Sequence, residues 1–424
     1  MKAYRKRIAD AMLQDKLAVK GAVLVEGPKW CGKTTTAEQA SKSVLALDDP
    51  DRLPQNLALA QIRPSALLDG AKPRLLDEWQ IAPVLWDAVR HAVDRAQSQG
   101  LFILTGSSVP PKADATLHTG TGRIARLRMR TMSLWESGES SGTVSLSELF
   151  AGADPTGAAA GVDFDGIAFA LCRGGWPAAV EMSGRRALAH APDYLDAVVA
   201  SDIVRVDGVS RNPDTARRLL RSLARLQGSQ AAATVIRDDI AANEADSFSE
   251  DTVLDYISAL RKLFVVEDLP AWCPNLRAKT PIRTTDTRHF GDPSIATAAL
   301  GLAPADLLRD LPTFGLFFET LAIRDLRAYA DALDGTVRHY RDKSGLECDA
   351  VVHLRNGAFG LVEIKLGGAP LIEKGARSLT ALSAKLDPAK LPSPSFLMVL
   401  VADGDIAYRR PDGITVCPLS ALKP

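Results

Sequence analysis

The stretch Gly21-Ala-Val-Leu-Val-Glu-Gly-Pro-Lys-Trp-Cys-Gly-Lys-Thr34 constrains this chain more than any other. Its apolar start, Ala22 to Val25, reads as a buried strand, and Thr34 to Ser41 reads as a helix. The G-x-x-x-x-G-K-T between them is therefore a loop in strand–loop–helix context, which is the context a phosphate cradle requires. Gly27 and Gly32 let the main chain turn its N–H groups toward phosphate oxygens, and the helix that follows adds the positive end of its dipole. Gly27, Pro28, Lys29, Trp30, Cys31, Gly32, Lys33, Thr34 and Thr35 are thus the expected nucleotide contacts. Lys33 is expected to reach the β- and γ-phosphates and Thr34 to hold Mg²⁺. Cys31, inside the cradle and just before a helix start, is either a reactive thiol whose alkylation blocks nucleotide binding, with ATP protecting it, or simply a side chain small enough for the loop.

Length sets the number of cores. At 424 residues the chain is too long for one and suggests about three domains. Its 51 Lys and Arg balance 51 Asp and Glu, so no global field draws it to nucleic acid or to a membrane, and any such contact needs a local patch. Cys31, Cys172, Cys273, Cys348 and Cys417 stand singly, which argues for a reducing compartment and against a disulfide frame or a zinc site. The first 20 residues alternate charged and apolar types with no signal core, and no stretch has the length and apolarity to span a bilayer. A cytoplasmic location is expected.

Short apolar runs alternate with amphipathic helical stretches up to about Arg130, the signature of a parallel sheet flanked by helices. The expected organisation is an α/β nucleotide core over 1–150, a linker and small helical lid over 151–210, a third domain over 211–300 and a fourth over 301–424. Within this scheme the Gly-, Ser- and Ala-rich stretch from Ser137 to Gly166 reads as a long loop or mobile connection.

The phosphate loop alone does not separate kinases from hydrolases. Arg74-Leu-Leu-Asp-Glu78 does more. Asp77 ends an apolar strand, where it can hold the Mg²⁺ water shell, and Glu78 next to it is placed to polarise an attacking water. Small-molecule kinases use a substrate group as nucleophile, and an Asp-Glu pair favours hydrolysis instead. In a sheet of the ASCE type the Leu101–Ser108 run lies between the phosphate-loop strand and the Asp-Glu strand. Its tip would then face the γ-phosphate, with Ser107 or Ser108 as sensor and Thr105 as the nearer alternative. Arg123, after the Gly120-Thr-Gly122 turn, is expected to reach a γ-phosphate in its own subunit or across an interface, which would require an oligomer.

Taken together, GPKWCGKT, LLDEWQ, ILTGSS, GRIARLRMRTMSLWE and CRGGWP resemble the prokaryotic AAA-type ATPases whose C-terminal half is a conserved domain of unknown function. The resemblance runs over most of the chain. It implies that Lys33, Thr34, Asp77, Glu78 and a Ser at 107 or 108 do the nucleotide work, and that Gly174 and Gly175 belong to a helical lid and allow close approach to the base.

Two further modules are expected downstream. From Thr234 to Trp272 the order helix, turn, helix, strand resembles a winged helix-turn-helix, with Ser249 capping a second helix whose apolar stripe is Val253, Leu254, Ile257 and Leu260. Its other face carries Glu250, Asp251 and Asp255, which would repel phosphate, so a protein partner is favoured over DNA there. Local basic patches for a nucleic acid are Arg277, Lys279, Arg283 and Arg288 on the wing, and Arg217, Arg218, Arg221 and Arg225 on an earlier helix. In the last domain, Asn356-Gly357 folds one strand on the next so that Asp349 faces Glu363, while Glu363 and Lys365 share a strand face. With Glu319 on a helix, this pattern resembles the PD-(D/E)XK nuclease fold, in which Glu319, Asp349 and Glu363 would bind a second Mg²⁺ or Mn²⁺ and Lys365 would position water.

The sequence thus points to an Mg²⁺-dependent ATP hydrolase whose nucleotide state controls a nucleic-acid-binding or nuclease-like half. The alternative is a nucleotide-dependent protein–protein switch with a catalytically inactive nuclease fold. A small-molecule kinase fits less well, because the sequence shows no acceptor pocket.

Overall fold

The computed structural model describes residues 4–106, 120–244, 248–274 and 285–424. Ser107, Ser108, Arg277, Lys279 and Arg283 lie outside the described residues. The chain divides into two compact units, one built from residues 1–131, 198–213 and 258–264, the other from 132–197, 214–257 and 265–424.

The first unit is a parallel sheet with helices on both faces. Its elements are α1 (Ile8–Val19), β1 (Ala22–Glu26), α2 (Lys33–Ala40), β2 (Ser43–Ala46), α3 (Leu53–Ile62), β3 (Arg74–Asp77), α4 (Val84–Ala96), β4 (Phe102–Gly106) and β5 (Ile124–Arg128). The strand order is β2-β3-β4-β1-β5, all parallel, so β4 does lie between the phosphate-loop strand and the Asp-Glu strand. Strand alternation sorts the side chains. Val23 and Val25 of β1 meet Leu13 and Leu17 of α1 and Ala37 of α2, while Ala22 and Leu24 join Leu85, Val89 and Val93 of α4 on the other face. A sheet covered on both faces needs such apolar runs, and that is why β1 reads as continuous hydrophobe in the sequence.

The second unit carries a seven-stranded mixed sheet in the order Gly335–Arg341, Glu347–Leu354, Phe359–Lys365, Leu397–Val401, Thr415–Pro418, Ile406–Arg409, Gly157–Ala158. The first three strands are antiparallel, and the third, fourth and fifth run parallel. The helices Leu311–Ala332 and Ala369–Lys385 pack on this sheet. Trp272 stacks against Phe359 at 5.0 Å between ring centroids and helps close its core.

The stretch 137–166 is not a long loop. It holds a short helix, Leu146–Phe150, and a strand, Gly157–Ala158, that pairs with Ile406–Arg409 at the sheet edge. Buried polar groups fix what precedes it. Asp325 accepts from the Leu134 amide at 2.9 Å, and Arg173 grips Glu139 through two bonds of 2.7 Å. Small residues there permit close packing, and the first unit closes at Thr131, short of residue 150.

Between these parts the helices Ala233–Asn243 and Glu250–Lys262 precede an antiparallel pair, Val266–Leu269 with Thr287–Phe290. Ser249 caps the second helix through the Thr252 amide, and Asp251 and Asp255 are exposed as expected. Leu254 departs from the expected stripe: it is half exposed, and Tyr256 is buried instead.

Candidate nucleotide site

The phosphate loop is shaped by its glycines. At Gly27 a side chain would collide with the Met129 carbonyl, whose oxygen would lie 2.0 Å from a Cβ, and Gly32 takes a left-handed φ of 99° as the residue before α2. Lys33 is buried and donates to its own loop, to the Gly27 carbonyl at 2.9 Å and the Pro28 carbonyl at 2.7 Å. The ammonium is therefore held against the carbonyls of its own loop. Thr34, one residue on, donates to Asp77 Oδ1 at 2.9 Å.

Asp77 gathers the site. Thr105 Oγ1, at the end of β4, donates to the same Oδ1, so two hydroxyls from two elements orient one carboxylate. Thr105, expected as the alternative γ-phosphate sensor, is placed here as a donor to Asp77. A threonine hydroxyl and a carboxylate are hard oxygen donors, and Mg²⁺ is commonly bound by one or two such groups plus substrate phosphates and water. Thr34 and Asp77 fit that ion.

Glu78 follows in the left-handed region, φ 53°, and the Gln80 amide donates to its carboxylate. Burial raises its proton affinity above the ordinary glutamate value, and the Gln80 bond and the Lys33 charge partly oppose that rise. A raised carboxylate beside the phosphate loop is what a water-activating base needs.

Other expectations are corrected. Arg123 precedes β5 at the edge where β1 begins, since Ala22 pairs with Ile124, whereas the phosphate loop leaves the opposite end of β1. About 15 Å of strand separates the two edges. Arg123 instead pairs with Asp94 at 2.6 Å and does not reach a phosphate in its own subunit. Cys31 is fully buried, with its Sγ toward the Met129 carbonyl, so it fills the loop floor rather than acting as a reactive thiol. Native-state alkylation followed by mass spectrometry is expected to label exposed Cys273 and to leave Cys31 unlabelled with or without MgATP. A fast Cys31 adduct that MgATP blocks would restore the reactive reading.

Gly174 and Gly175 are explained by packing inside the second unit. A Cβ at Gly175 would lie 2.1 Å from the Met132 carbonyl oxygen, and the Gly175 amide donates to buried Asp292 at 3.0 Å. Their close approach is to protein. The arginine row is likewise engaged: Arg217 with Asp196, Arg221 with Glu244, and Arg225 with Asp239 and Glu244. Arg288, expected on a wing, lies 3.5 Å from Asp268.

Sequence reasoning missed Arg7. Its guanidinium donates to the carbonyls of Cys31 and Arg130 at 2.7 and 2.8 Å, tying the loop to the chain beyond β5. Nothing in its spacing marks it, because the pairing spans 24 residues to one partner and 123 to the other.

The C-terminal acids do converge. The register Ala350 to Val362 places Asp349 opposite Glu363, and Lys365 sits between them, 2.8 Å from Asp349 and 2.7 Å from Glu363. Burial, then the Asp349 charge, raises Glu363, and burial raises Glu319 strongly, while the two acids hold Lys365 protonated. One ammonium faces three carboxylates here, and burial disfavours the charged forms of Glu319 and Glu363. Among the described residues no group of three or more His, Cys, Asp or Glu is arranged to hold a metal, so the expected cage of Glu319, Asp349 and Glu363 finds no support here. No helix among the described residues is long and apolar enough to cross a membrane.

Comparison with known families agrees with the first unit. Residues 19–137 match the AAA domain family. These residues form a P-loop domain of AAA type. Its residues 165–306 and 314–422 match two domains of unknown function, DUF8612 and DUF4143. Uncharacterised proteins of Mycobacterium tuberculosis and Mycobacterium bovis are each 23% identical over 375 residues, covering 88% of this chain and 76% of theirs. Among solved structures, a Walker-type ATPase of Pyrococcus abyssi is similar at 15% identity and a TM-score of 0.44, over 70% of this chain and 96% of that one.

Proposed function

We propose that this AAA-type chain is an Mg²⁺-dependent ATP hydrolase whose nucleotide state governs its C-terminal body. The observation that carries the reading is Asp77, oriented by Thr34 and Thr105 with Glu78 beside it and Lys33 held in the loop. Lys33 and the loop amides bind and orient the phosphates. Glu78, kept basic by burial and fixed by Gln80, takes a proton from water aligned for attack. A magnesium ion held through Thr34 and Asp77 would supply charge neutralisation at the phosphates.

A second reading concerns the C-terminal body: it binds a partner without cutting. The ion pairs of Lys365 with both Asp349 and Glu363, and the engaged arginines of Pro213–Arg225, favour it over metal-assisted cleavage. ATP turnover measured with and without single- and double-stranded DNA or RNA, beside cleavage assays in Mg²⁺ and Mn²⁺ with Asp349→Ala as control, separates the two. Turnover indifferent to nucleic acid, with no metal-dependent cleavage, is expected of a binding body. Cleavage lost in Asp349→Ala would establish a nuclease.

A further inference from the structure

Lys29 lies two residues into the phosphate loop, and its Nζ is 2.5 Å from Asp202 Oδ1. The lysine side chain is 44% exposed and the aspartate 10%, so the anion is the fixed member and the ammonium the mobile one. Asp202 closes a single π-helical turn, Val198–Asp202. Such turns are rare and concentrate at functional positions. The stretch 198–213 belongs to the first unit, yet its chain neighbours on both sides, His190–Ala197 and Asp214 onward, are counted with the second.

The two ends of this stretch are held differently. Its later part is clamped by Arg211, whose guanidinium grips Asp207 at 2.6 and 2.9 Å, and by Lys262 at 2.9 Å from the same carboxylate. These bonds hold Asp207 well below the usual carboxylate range. The earlier part is held by buried Val198 and Val199 and, at its end, by the pair of Asp202 with Lys29.

We propose that Asp202 is a further residue of the nucleotide site, an internal anion that occupies Lys29 and yields to the phosphates of ATP. The inference rests on the reading that this loop binds ATP. A nucleotide in the cradle brings several negative charges beside Lys29, against the single charge of Asp202, and the lysine stem is long and flexible enough to turn toward them. Once Lys29 turns, Asp202 loses this ion pair and the Val198–Asp202 turn loses its tie to the loop, held then by buried Val198 and Val199, while the Asp207 clamp stays. The chain itself then carries the change into His190–Ala197, without any further contact being required.

The test uses the full-length protein. Hydrogen exchange at Val198–Asp202 is expected to rise with saturating MgATP in the wild type and to stay unchanged in Lys33→Ala. Asp202→Asn removes the competing charge with little change of shape, and it is expected to tighten MgATP binding about two- to five-fold, the range that one ion pair of partial exposure allows. The gain is expected to vanish when Asp202→Asn is combined with Lys29→Gln, as coupled residues require. Binding of MgATP with unchanged exchange at Val198–Asp202, and with the same affinity in Asp202→Asn, would overturn the proposal and leave the ATP reading intact. Absence of MgATP binding to the wild type by calorimetry would overturn both.

Discussion

Glu78→Gln is expected to lower ATP turnover by about 10² to 10⁴-fold while MgATP affinity stays within about three-fold of wild type. The substitution keeps the shape and the contact with Gln80 but removes the only function assigned to this carboxylate, accepting a proton from water. Because burial raises its proton affinity, Glu78 takes up a proton at a higher pH than an exposed glutamate. Turnover needs the ionised form, so the sign is fixed: activity falls as pH is lowered, and the acid limb lies above the ordinary glutamate range. In Glu78→Gln that limb is expected to disappear from the residual rate. A variant that turns over normally, or one in which affinity and turnover fall together, would remove Glu78 from the role of base.

Lys33→Ala is expected to weaken MgATP binding by at least about a hundred-fold, which corresponds to about 3 kcal/mol and to the loss of charge-assisted hydrogen bonds to phosphate. The wild-type ammonium is buried in the loop on the Gly27 and Pro28 carbonyls, so it is confined to the cradle where phosphate would bind. Equilibrium calorimetry reads the loss. Thermal unfolding of the variant without nucleotide separates it from misfolding, since those two carbonyls lie in a loop and the first unit's core lies on the two faces of its sheet. Affinity within a few-fold of wild type would mean that the nucleotide lies elsewhere.

What the sequence made legible were the local relations. The phosphate loop and the Asp77-Glu78 strand end follow from strand periodicity and loop chemistry, the place of β4 from the expected ASCE sheet type, and the register of Asp349 on Glu363 from one Asn-Gly turn. Strand direction misled the reading of Arg123. The glycine turn before β5 looks like a phosphate turn in isolation, but it opens a strand parallel to β1 and so falls at the wrong edge. Long-range partners were invisible for a simple reason: Arg7 and Asp202 meet the loop through pairings that no spacing rule encodes. Composition misled over 137–166. Glycine, serine and alanine suit a loop, and they also suit an edge strand and tight turns held by carboxylates such as buried Asp325 and half-buried Glu139. Leu254 shows the same limit at one residue: helical period alone did not tell which of two neighbouring apolar positions the core accepts.

The Asp202 proposal gives the two units a covalent route of communication, and Glu78→Gln offers a way to hold it in one state. With ATP bound and not hydrolysed, exchange at Val198–Asp202 should remain high for as long as nucleotide is present.

Phosphate release from saturating MgATP by the full-length wild-type protein, followed beside Lys33→Ala and repeated with magnesium chelated, tests the central claim most directly. The account expects steady release from the wild type and loss of it both in Lys33→Ala and on chelation. Release from the wild type no faster than from Lys33→Ala would contradict it.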